Sequence, residues 1–183
     1  LAAIRVVWEP TEPLVDPELA ADASPIHPDG NVIRRVHLRH GDQTAADRQD
    51  LVSVEGTYEV GMQDQAFLGP ESGLAVPDED GGVDLYVATQ WLHEDRDQVA
   101  ACLGLPEDKV RLTLAGVGGA FGAREDLSLH VHLCLLALRT GRPVKMSYGR
   151  EESFHGHVHR HPARMHYRHQ ATTEGDLVRV EAR

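Results

Sequence analysis

The sequence predicts an α+β (mixed α/β) fold, in which a sheet carries helices on one side and an irregular arm precedes it. Three observations predict this fold. Residues 52–60 alternate apolar and polar side chains, as a strand with one apolar face does. Residues 83–148 follow the order strand, helix, strand, helix, strand. Residues 1–50 instead contain five prolines before position 30 and little periodicity.

The first 50 residues are expected to form a proline-rich arm or connector. Residues 4–8 favour a short strand. Proline fixes φ and withholds a backbone donor, so the rest of the arm is predicted to contain neither a helix nor a central strand. A structureless segment of this length is uncommon inside a compact domain. Two interpretations stay open, an arm packed on a larger body and a disordered end.

Residues 51–183 carry the regular elements. The strand at 52–60 is expected to be half-buried, with Val54 and Tyr58 on its apolar face. A short apolar run at 74–76 ends at Pro77, and the acidic, glycine-containing stretch 78–82 predicts a turn. A second strand is predicted over 83–90.

Two helices are predicted after these strands. The first spans 93–103, with acidic residues in its first turn and Gly104 as a left-handed cap. The second spans about 124–139, and its second half is apolar on all sides, which predicts burial on several sides. Further strands are predicted over 110–114 and 144–148, and a hairpin over 164–183.

Charge and composition exclude several classes of function. The net charge is −11 and only two lysines are present, which disfavours nucleic-acid binding. No apolar run reaches the roughly 18 residues of a membrane helix. The two cysteines form no CxxC motif, so we expect a reducing, cytoplasmic compartment and no iron–sulfur cluster on this chain. Because the chain begins with Leu1 and ends in a strand-like run, we expect it to be a fragment.

A glycine-rich loop at residues 115–123 lies between a predicted strand and a predicted helix. Such a loop presents free backbone N–H groups to an anion and lets a ligand approach the backbone closely. Phe121 stands where a dinucleotide-binding GxGxxG motif requires glycine, and no Gly-Lys-Ser/Thr follows. On spacing alone, a ligand-binding loop and a tight packing turn both remain open.

Four histidines alternate at positions 155, 157, 159 and 161. On a strand they would share one face and could bind zinc or nickel. However, Gly156 and Pro162 favour a loop, and no Asp, Glu or Cys is interleaved. We therefore expect a solvated or partner-facing loop, and no metal ligand from this chain.

Three motifs occur in order along the sequence: VEGTY at 54–58 followed by QDQAFLGPES at 63–72, GGAFGARE at 118–125, and REESF at 150–154 followed by RHP at 160–162. Together they resemble the molybdenum-hydroxylase family that includes xanthine dehydrogenase and aldehyde oxidase. Residues 51–183 would then be part of a molybdopterin-binding domain. The sequence departs from the family pattern at Gln65, where histidine is common, and at Gly69, where glutamate is common.

The resemblance implies roles for six positions. Gln63 would hydrogen-bond an oxygen ligand of molybdenum, and Phe121 with Gly122 would contribute backbone N–H contacts. Glu125 would position the substrate and favours a purine-like heterocycle. The implied cofactor-binding residues are Gln63, Gly118, Gly119, Phe121 and Gly122.

The resemblance also implies the rest of the machinery. The expected cofactor is molybdopterin with molybdenum, and the expected partners are iron–sulfur (2Fe-2S) and FAD subunits or domains within an oligomeric enzyme. A purine, N-heterocycle or aldehyde would be oxidised with water as the oxygen source, and the general base would lie outside these residues. Two alternative hypotheses are a non-catalytic interaction module and a small histidine-site metalloprotein.

Overall fold

The computed structural model describes residues 3–48 and 50–183 and divides the chain into two units, Leu1–Leu51 and Val52–Arg183. No helix in these described residues combines the length and the apolar character needed to cross a membrane. Each unit contains secondary structure of its own, and the second contains all seven strands of the described chain.

The first unit is largely irregular but contains a short helix α1, Pro17–Ala20, and a 3-10 helix, Gln43–Asp47. The prediction that this stretch contains no helix is therefore wrong. Pro17 stands in the first turn of α1, where its missing N–H costs nothing, and Asp16 accepts from the N–H of Glu18. The strand predicted at residues 4–8 is also wrong, since these residues pair with no strand in the described chain.

Asn31 organises the middle of the first unit. Its side-chain amide donates to the carbonyl groups of Ala20, Ala23 and Ser24, and its Oδ1 accepts from the N–H of Ile26 at 2.7 Å. Among residues 3–48, 50 and 51, no side chain with a described environment is fully buried. This unit is thus ordered by local hydrogen bonds rather than by a hydrophobic core.

The second unit contains seven strands in two sheets. The strands are β1 Val52–Val60, β2 Ser72–Pro77, β3 Val83–Val87, β4 Val110–Leu114, β5 Val144–Ser147, β6 Ala163–Ala171 and β7 Leu177–Ala182. One sheet has the order β4-β3-β2-β5, in which β3 and β4 are parallel and the other pairs are antiparallel. The other sheet, β1-β6-β7, is antiparallel throughout.

Two helices cover one face of the four-stranded sheet. Helix α2, Leu92–Leu103, connects the parallel strands β3 and β4, and helix α3, His130–Thr140, packs on β2, β3 and β5. The buried residues between helices and sheet are Ala75, Val83, Leu85, Val87, Val99, Ala100, Val110, Leu129, Leu133, Cys134 and Ala137. The predicted α+β class with helices on one side of a sheet is confirmed.

Helix α3 begins at His130, six residues later than predicted. The reason is local: the backbone of Arg124 pairs with Gln90, because Gln90 N–H donates to the Arg124 carbonyl at 2.8 Å and Gln90 Oε1 accepts from Arg124 N–H at 3.2 Å. Backbone groups committed to a neighbouring segment are not available for a helix. The predicted end is confirmed, since Gly141 caps α3 with φ 64°.

The three-stranded sheet is more exposed than the sequence predicted. In β1 only Gly56 and Val60 are partly buried, and the side chains of Val54 and Tyr58 are exposed. The prediction of a half-buried strand is therefore wrong within these residues. A third helix of this unit, α4, Arg150–Gly156, was not predicted; Glu152 accepts from the N–H of Gly149 at 2.8 Å at its start.

Candidate functional site

Three segments enclose a cavity of about 740 Å³. The segments are residues 62–65 after β1, residues 121–126 at the end of the glycine loop, and residues 158–161 after α4. None of them belongs to a strand or an α-helix, so the cavity is formed by loops held on the rigid elements of the second unit.

Gln63 is fixed in the cavity wall by Arg160. Their backbones form an isolated bridge, in which Gln63 N–H donates to the Arg160 carbonyl at 3.3 Å and Arg160 N–H donates back at 2.9 Å. Arg160 Nη1 also donates to Gln63 Oε1 at 3.3 Å. The amide oxygen of Gln63 is thus occupied, and its NH₂ group donates to no acceptor among residues 3–48 and 50–183, so it is available to a ligand.

The glycine loop exposes backbone donors at the cavity. Phe121 adopts φ 56°, a left-handed conformation that is rare for a bulky residue, between Gly119 at φ 99° and Gly122 at φ 87°. Its side chain is 78% exposed. Within the described residues, the N–H groups of Phe121 and Gly122 donate to no protein acceptor. Such successive free N–H groups form an anion-binding or oxygen-binding concavity.

The back of the glycine loop packs directly on the segment before β2. A Cβ on Gly118 would lie 2.8 Å from both the Cα and the backbone N of Gly69, and Gly69 N–H donates to the Gly118 carbonyl at 3.0 Å. Gly119 lies against Phe67 in the same way, with a built Cβ 3.1 Å from the Phe67 Cβ. The glycine at 69, where the family often has glutamate, lets the two backbones touch.

Arg124 joins the same two segments through its side chain. Its Nε donates to the Gly119 carbonyl at 3.0 Å and its Nη2 donates to the Gly69 carbonyl. The residue is buried, and this burial lowers the pKa of Arg124, while the nearby carboxylate of Glu71 opposes the shift.

Glu125 lies beside the exposed donors. A Cβ on Gly122 would be 4.0 Å from Glu125 Oε1, and the Glu125 side chain is partly buried. Its carboxylate accepts no hydrogen bond from the part of the chain that the structure describes. It is therefore available to a ligand that enters the cavity.

The structure brings four of the six predicted residues together at the cavity: Gln63, Phe121, Gly122 and Glu125. Gly118 and Gly119 are placed behind them, where they permit close packing instead of lining the cavity. Arg160 and Arg124 were not among the residues predicted from the sequence. Their signal was present, since both belong to segments that resemble the family, but only the fold shows what they contact.

The alternating histidines do not share one face. His155 lies exposed in α4, whereas His157 is buried, which corrects the prediction of a solvated or partner-facing loop for that residue. His157 and His159 approach Asp64 from the segment after β1. The proximity of Asp64 to these histidines was not predicted, because about 90 residues separate them in the chain.

Comparisons with known proteins define the family. The family model described as "Molybdopterin cofactor-binding domain" matches residues 26–183. The chain is 39% identical over 183 residues to the nicotinate dehydrogenase large molybdopterin subunit of Eubacterium barkeri, covering 99% of this chain and 43% of that protein. It is 34% identical over 180 residues to a probable xanthine dehydrogenase subunit of Bacillus subtilis, covering 97% of this chain and 24% of that protein.

Solved structures agree on the fold. The aldehyde oxidoreductase from Desulfovibrio desulfuricans superposes with a TM-score of 0.82 at 24% identity, over 90% of this chain and 18% of that one. The aldehyde oxidoreductase from Desulfovibrio gigas gives a TM-score of 0.72 at 26% identity, over 78% of this chain and 16% of that one.

The chain belongs to the molybdopterin cofactor-binding domain family of the xanthine dehydrogenase and aldehyde oxidase type. It is thus part of an oxidoreductase family whose cofactor is molybdopterin. The chain spans less than half the length of the curated relatives named above. The family match begins at residue 26, inside the predicted arm.

The residues of the cavity fit this cofactor. The unpaired N–H groups of Phe121 and Gly122 and the NH₂ of Gln63 are donors that suit oxygen ligands and anionic groups. The cavity also leaves the Glu125 carboxylate without a protein partner among the described residues, next to these donors.

Proposed function

We propose that this chain supplies one wall of the active site in the molybdenum-cofactor subunit of a hydroxylase. The enzyme would oxidise a purine, another N-heterocycle or an aldehyde, with water as the oxygen source. One observation carries the proposal: Gln63, Phe121, Gly122 and Glu125, from two distant parts of the sequence, line the same cavity.

Each of these residues has a role that its own geometry supports. Phe121 and Gly122 would donate their backbone N–H groups to the cofactor, and Gln63, oriented by Arg160, would donate from its amide. When bound, the molybdenum cofactor supplies the two-electron oxidation that no side chain here provides. Preorganised donors of this kind cost no reorganisation when charge develops on a ligand.

Glu125 would position the substrate. A carboxylate accepts hydrogen bonds from ring N–H groups of a heterocycle, or donates one when it is protonated. Its proximity to Gly122 puts it beside the proposed cofactor contacts, and no protein donor among the described residues competes for it. This favours a heterocycle with a ring N–H, such as a purine, over an aldehyde, which offers no N–H.

The remaining parts of the enzyme are proposed from the family. Iron–sulfur and FAD subunits or domains would carry the electrons away, within an oligomeric assembly in the cytoplasm. The cytoplasmic location is supported by Cys102 and Cys134, which are free thiols. Residues 1–50 would act as a connector, and an interaction-module role is retained for this arm alone.

Kinetics on the complete enzyme test the role of Glu125. In Glu125→Gln, kcat/KM for a heterocyclic substrate should fall by about 10- to 100-fold, because an oriented acceptor is lost. The matched control is Glu174→Gln, which removes the same charge from an exposed carboxylate between β6 and β7 that does not line the cavity. Xanthine, nicotinate and an aldehyde would be compared.

Measuring the molybdenum content distinguishes the substrate role of Glu125 from the proposed molybdenum-cofactor function of the chain. About one molybdenum per subunit in Glu125→Gln with reduced kcat/KM supports a substrate role. Full molybdenum with unchanged kcat/KM for every substrate contradicts it. An enzyme assembled with all its subunits that lacks molybdenum contradicts the proposed function itself.

A further inference from the structure

Asp64, His157 and His159 converge from two separate segments of the second unit. His157 Nε2 and His159 Nε2 lie 3.2 Å and 3.0 Å from the same Asp64 Oδ2. The two imidazole rings are stacked, with centroids 4.9 Å apart and an interplanar angle of 21°. One ligand atom from each of the three side chains lies within 4.8 Å of the other two.

The contact between Asp64 and His157 does not have hydrogen-bond geometry. Within the described residues, Asp64 Oδ2 and His157 Nε2 are both buried and without a hydrogen-bond partner. Asp64 Oδ1 accepts from the N–H of Ala66 at 2.5 Å, which fixes the carboxylate and leaves Oδ2 facing the imidazoles. A buried polar atom without a partner costs about 1–3 kcal/mol, so this arrangement favours a cation between the two side chains.

The surroundings of His157 match those of a metal-binding histidine. Its Nδ1 faces the carbonyl oxygen of Ser153 in α4, and Glu71 Oε1 lies 3.2 Å from the same nitrogen. A proton on Nδ1 satisfies the carbonyl and leaves the Nε2 lone pair free to bind a metal. Metal-binding histidines almost always donate their second N–H to a carboxylate or a backbone carbonyl in this way.

The distances also suit zinc. Zinc binds histidine nitrogen at about 2.0–2.1 Å and carboxylate oxygen at about 2.0–2.2 Å, which places tetrahedral ligand atoms roughly 3.3–3.5 Å apart. The distances from Asp64 Oδ2 to the Nε2 atoms of His159 and His157, 3.0 Å and 3.2 Å, are within a few tenths of an ångström of that range. Asp64 and Glu71 supply two carboxylates beside the site, so the dication would be balanced.

We propose that Asp64, His157 and His159 form a zinc site with an open fourth position toward the cavity, which Asp64 and His159 also line. The zinc ligands are different residues from the proposed cofactor contacts Gln63, Phe121 and Gly122, although Asp64 and His159 line the same cavity. The zinc site joins the segment after β1 to the segment after α4, and so holds two walls of the cavity together.

One contact competes with zinc. His159 Nε2 also lies 2.9 Å from the carbonyl oxygen of Phe154, to which it donates when it carries a proton. Zinc binding must displace that proton. The rival arrangement is a protonated His157 between Asp64 and Glu71 with no metal, and the experiment must distinguish the two.

The experiment measures zinc and molybdenum together in the complete protein, purified with its partner subunits and without a histidine tag. Samples are dialysed against zinc and then against zinc-free buffer, and both metals are counted per chain. The test variants are His159→Gln, which changes a partly exposed side chain, and Asp64→Asn, which preserves shape. The matched control is His155→Gln, an exposed histidine two residues before His157.

About one zinc per chain should be retained by the parent and by His155→Gln, and at least about tenfold less by His159→Gln and Asp64→Asn. Zinc should also raise the thermal midpoint of the parent and leave that of His159→Gln unchanged. A parent that retains no zinc, or a His159→Gln variant that retains as much as the parent, overturns the proposal in favour of the protonated cluster. Molybdenum in the same samples reports on the proposed function independently.

Discussion

The guanidinium carbon of Arg124 lies 4.2 Å from the centroid of the Phe67 ring. Phe67 is fully buried, so the cation stacks on an aromatic face that water does not reach. Together with the hydrogen bonds to Gly69 and Gly119, this contact makes Arg124 the connection between the glycine loop and the segment before β2. The position of the exposed N–H donors thus depends on one buried arginine.

Replacing Arg124 should loosen the glycine loop. In Arg124→Gln the planar guanidinium group is lost, and the partly buried carbonyl groups of Gly69 and Gly119 lose a charged donor. A hydrogen bond from a charged donor is worth about 1.5–3 kcal/mol. We expect the hydrogen-bonded amides at this contact, those of Gly69 and Ala123, to exchange hydrogen at least about tenfold faster, which corresponds to about 1.4 kcal/mol. Hydrogen exchange followed by mass spectrometry on the complete protein measures this.

The control for this prediction is Arg142→Gln, because Arg142 is exposed and follows the cap of α3. Its loop exchange should equal that of the parent. Equal exchange in Arg124→Gln would show that Gly69 and Gly118 hold the two segments together without the arginine.

Gly118 should be intolerant of a side chain. A Cβ at this position would lie 2.8 Å from the Cα and the N of Gly69, and backbone atoms cannot move aside as a flexible side chain can. Gly118→Ala should therefore separate the loop from Gly69 and lower the molybdenum content of the purified enzyme about tenfold, because a displacement of even 1 Å misplaces the donors. Elemental analysis measures the content.

Gly116→Ala is the matched control in the same loop. No atom lies within 4 Å of a Cβ built on Gly116, and its φ is not in the left-handed region. The variant should retain the molybdenum content of the parent. Normal molybdenum in Gly118→Ala would contradict the close backbone contact as the reason for glycine at this position.

The contacts of the glycine loop could be predicted from the sequence only in part. Its composition predicted a close backbone approach, and the resemblance placed Phe121 and Gly122 at a ligand. The partner of that approach, Gly69, appeared only as an unexplained departure from the family pattern. Contacts between segments about 50 residues apart are set by the fold, and a single sequence carries no local signal for them.

The same limit explains the late start of α3. Apolar residues at 133–138 predicted a helix, and Gly141 gave its end. The predicted burial on several sides is wrong, since Leu135 and Leu136 are exposed. The start could not be predicted, because the backbone of Arg124 is held by Gln90, a residue of another segment. Likewise, the period-two pattern of β1 predicted a strand but not its exposure, since burial depends on what covers the sheet.

Gly73 of β2 should resist enlargement because it faces helix α3. A Cβ on Gly73 would lie 2.7 Å from Leu133 Cδ1 and 3.1 Å from Leu129 Cδ1, and both leucines are fully buried. Overpacking of this kind costs about 1–3 kcal/mol, so Gly73→Ala should speed hydrogen exchange of α3 by about 5- to 100-fold. Gly61→Ala, with no atom within 4 Å of its Cβ, should leave α3 unchanged.

The stability of the domain should depend on pH through His130 at the start of α3. Burial, and then the nearby charge of Arg124, lowers the pKa of His130 from 6.5 to about 4. Its Nδ1 accepts from the N–H of Ser128 at 3.1 Å, so the ring is held in its neutral form. Nε2 faces Asp95, and burial raises the pKa of that carboxyl group.

Because the pKa of His130 is lowered, the domain should lose stability as pH falls. As pH falls from about 6.5 toward 4, the unfolded chain binds a proton at this histidine and the folded chain does not, so stability decreases by up to about 3 kcal/mol. The raised pKa of Asp95 acts in the opposite sense, because its stabilisation is lost as pH rises. The contribution of His130 is therefore obtained as a difference between variants.

His130→Asn removes the titrating ring and keeps an acceptor for Ser128. The thermal midpoint of the parent should fall more steeply than that of His130→Asn between pH 6.5 and 4.5. The reason is that His130, which resists protonation in the folded domain, is present in the parent and absent from the variant. His132→Asn, which changes an exposed histidine in the same helix, should keep the slope of the parent. Parallel slopes for the parent and His130→Asn would mean that His130 gains its proton inside the folded domain, with Asp95 as its counter-charge.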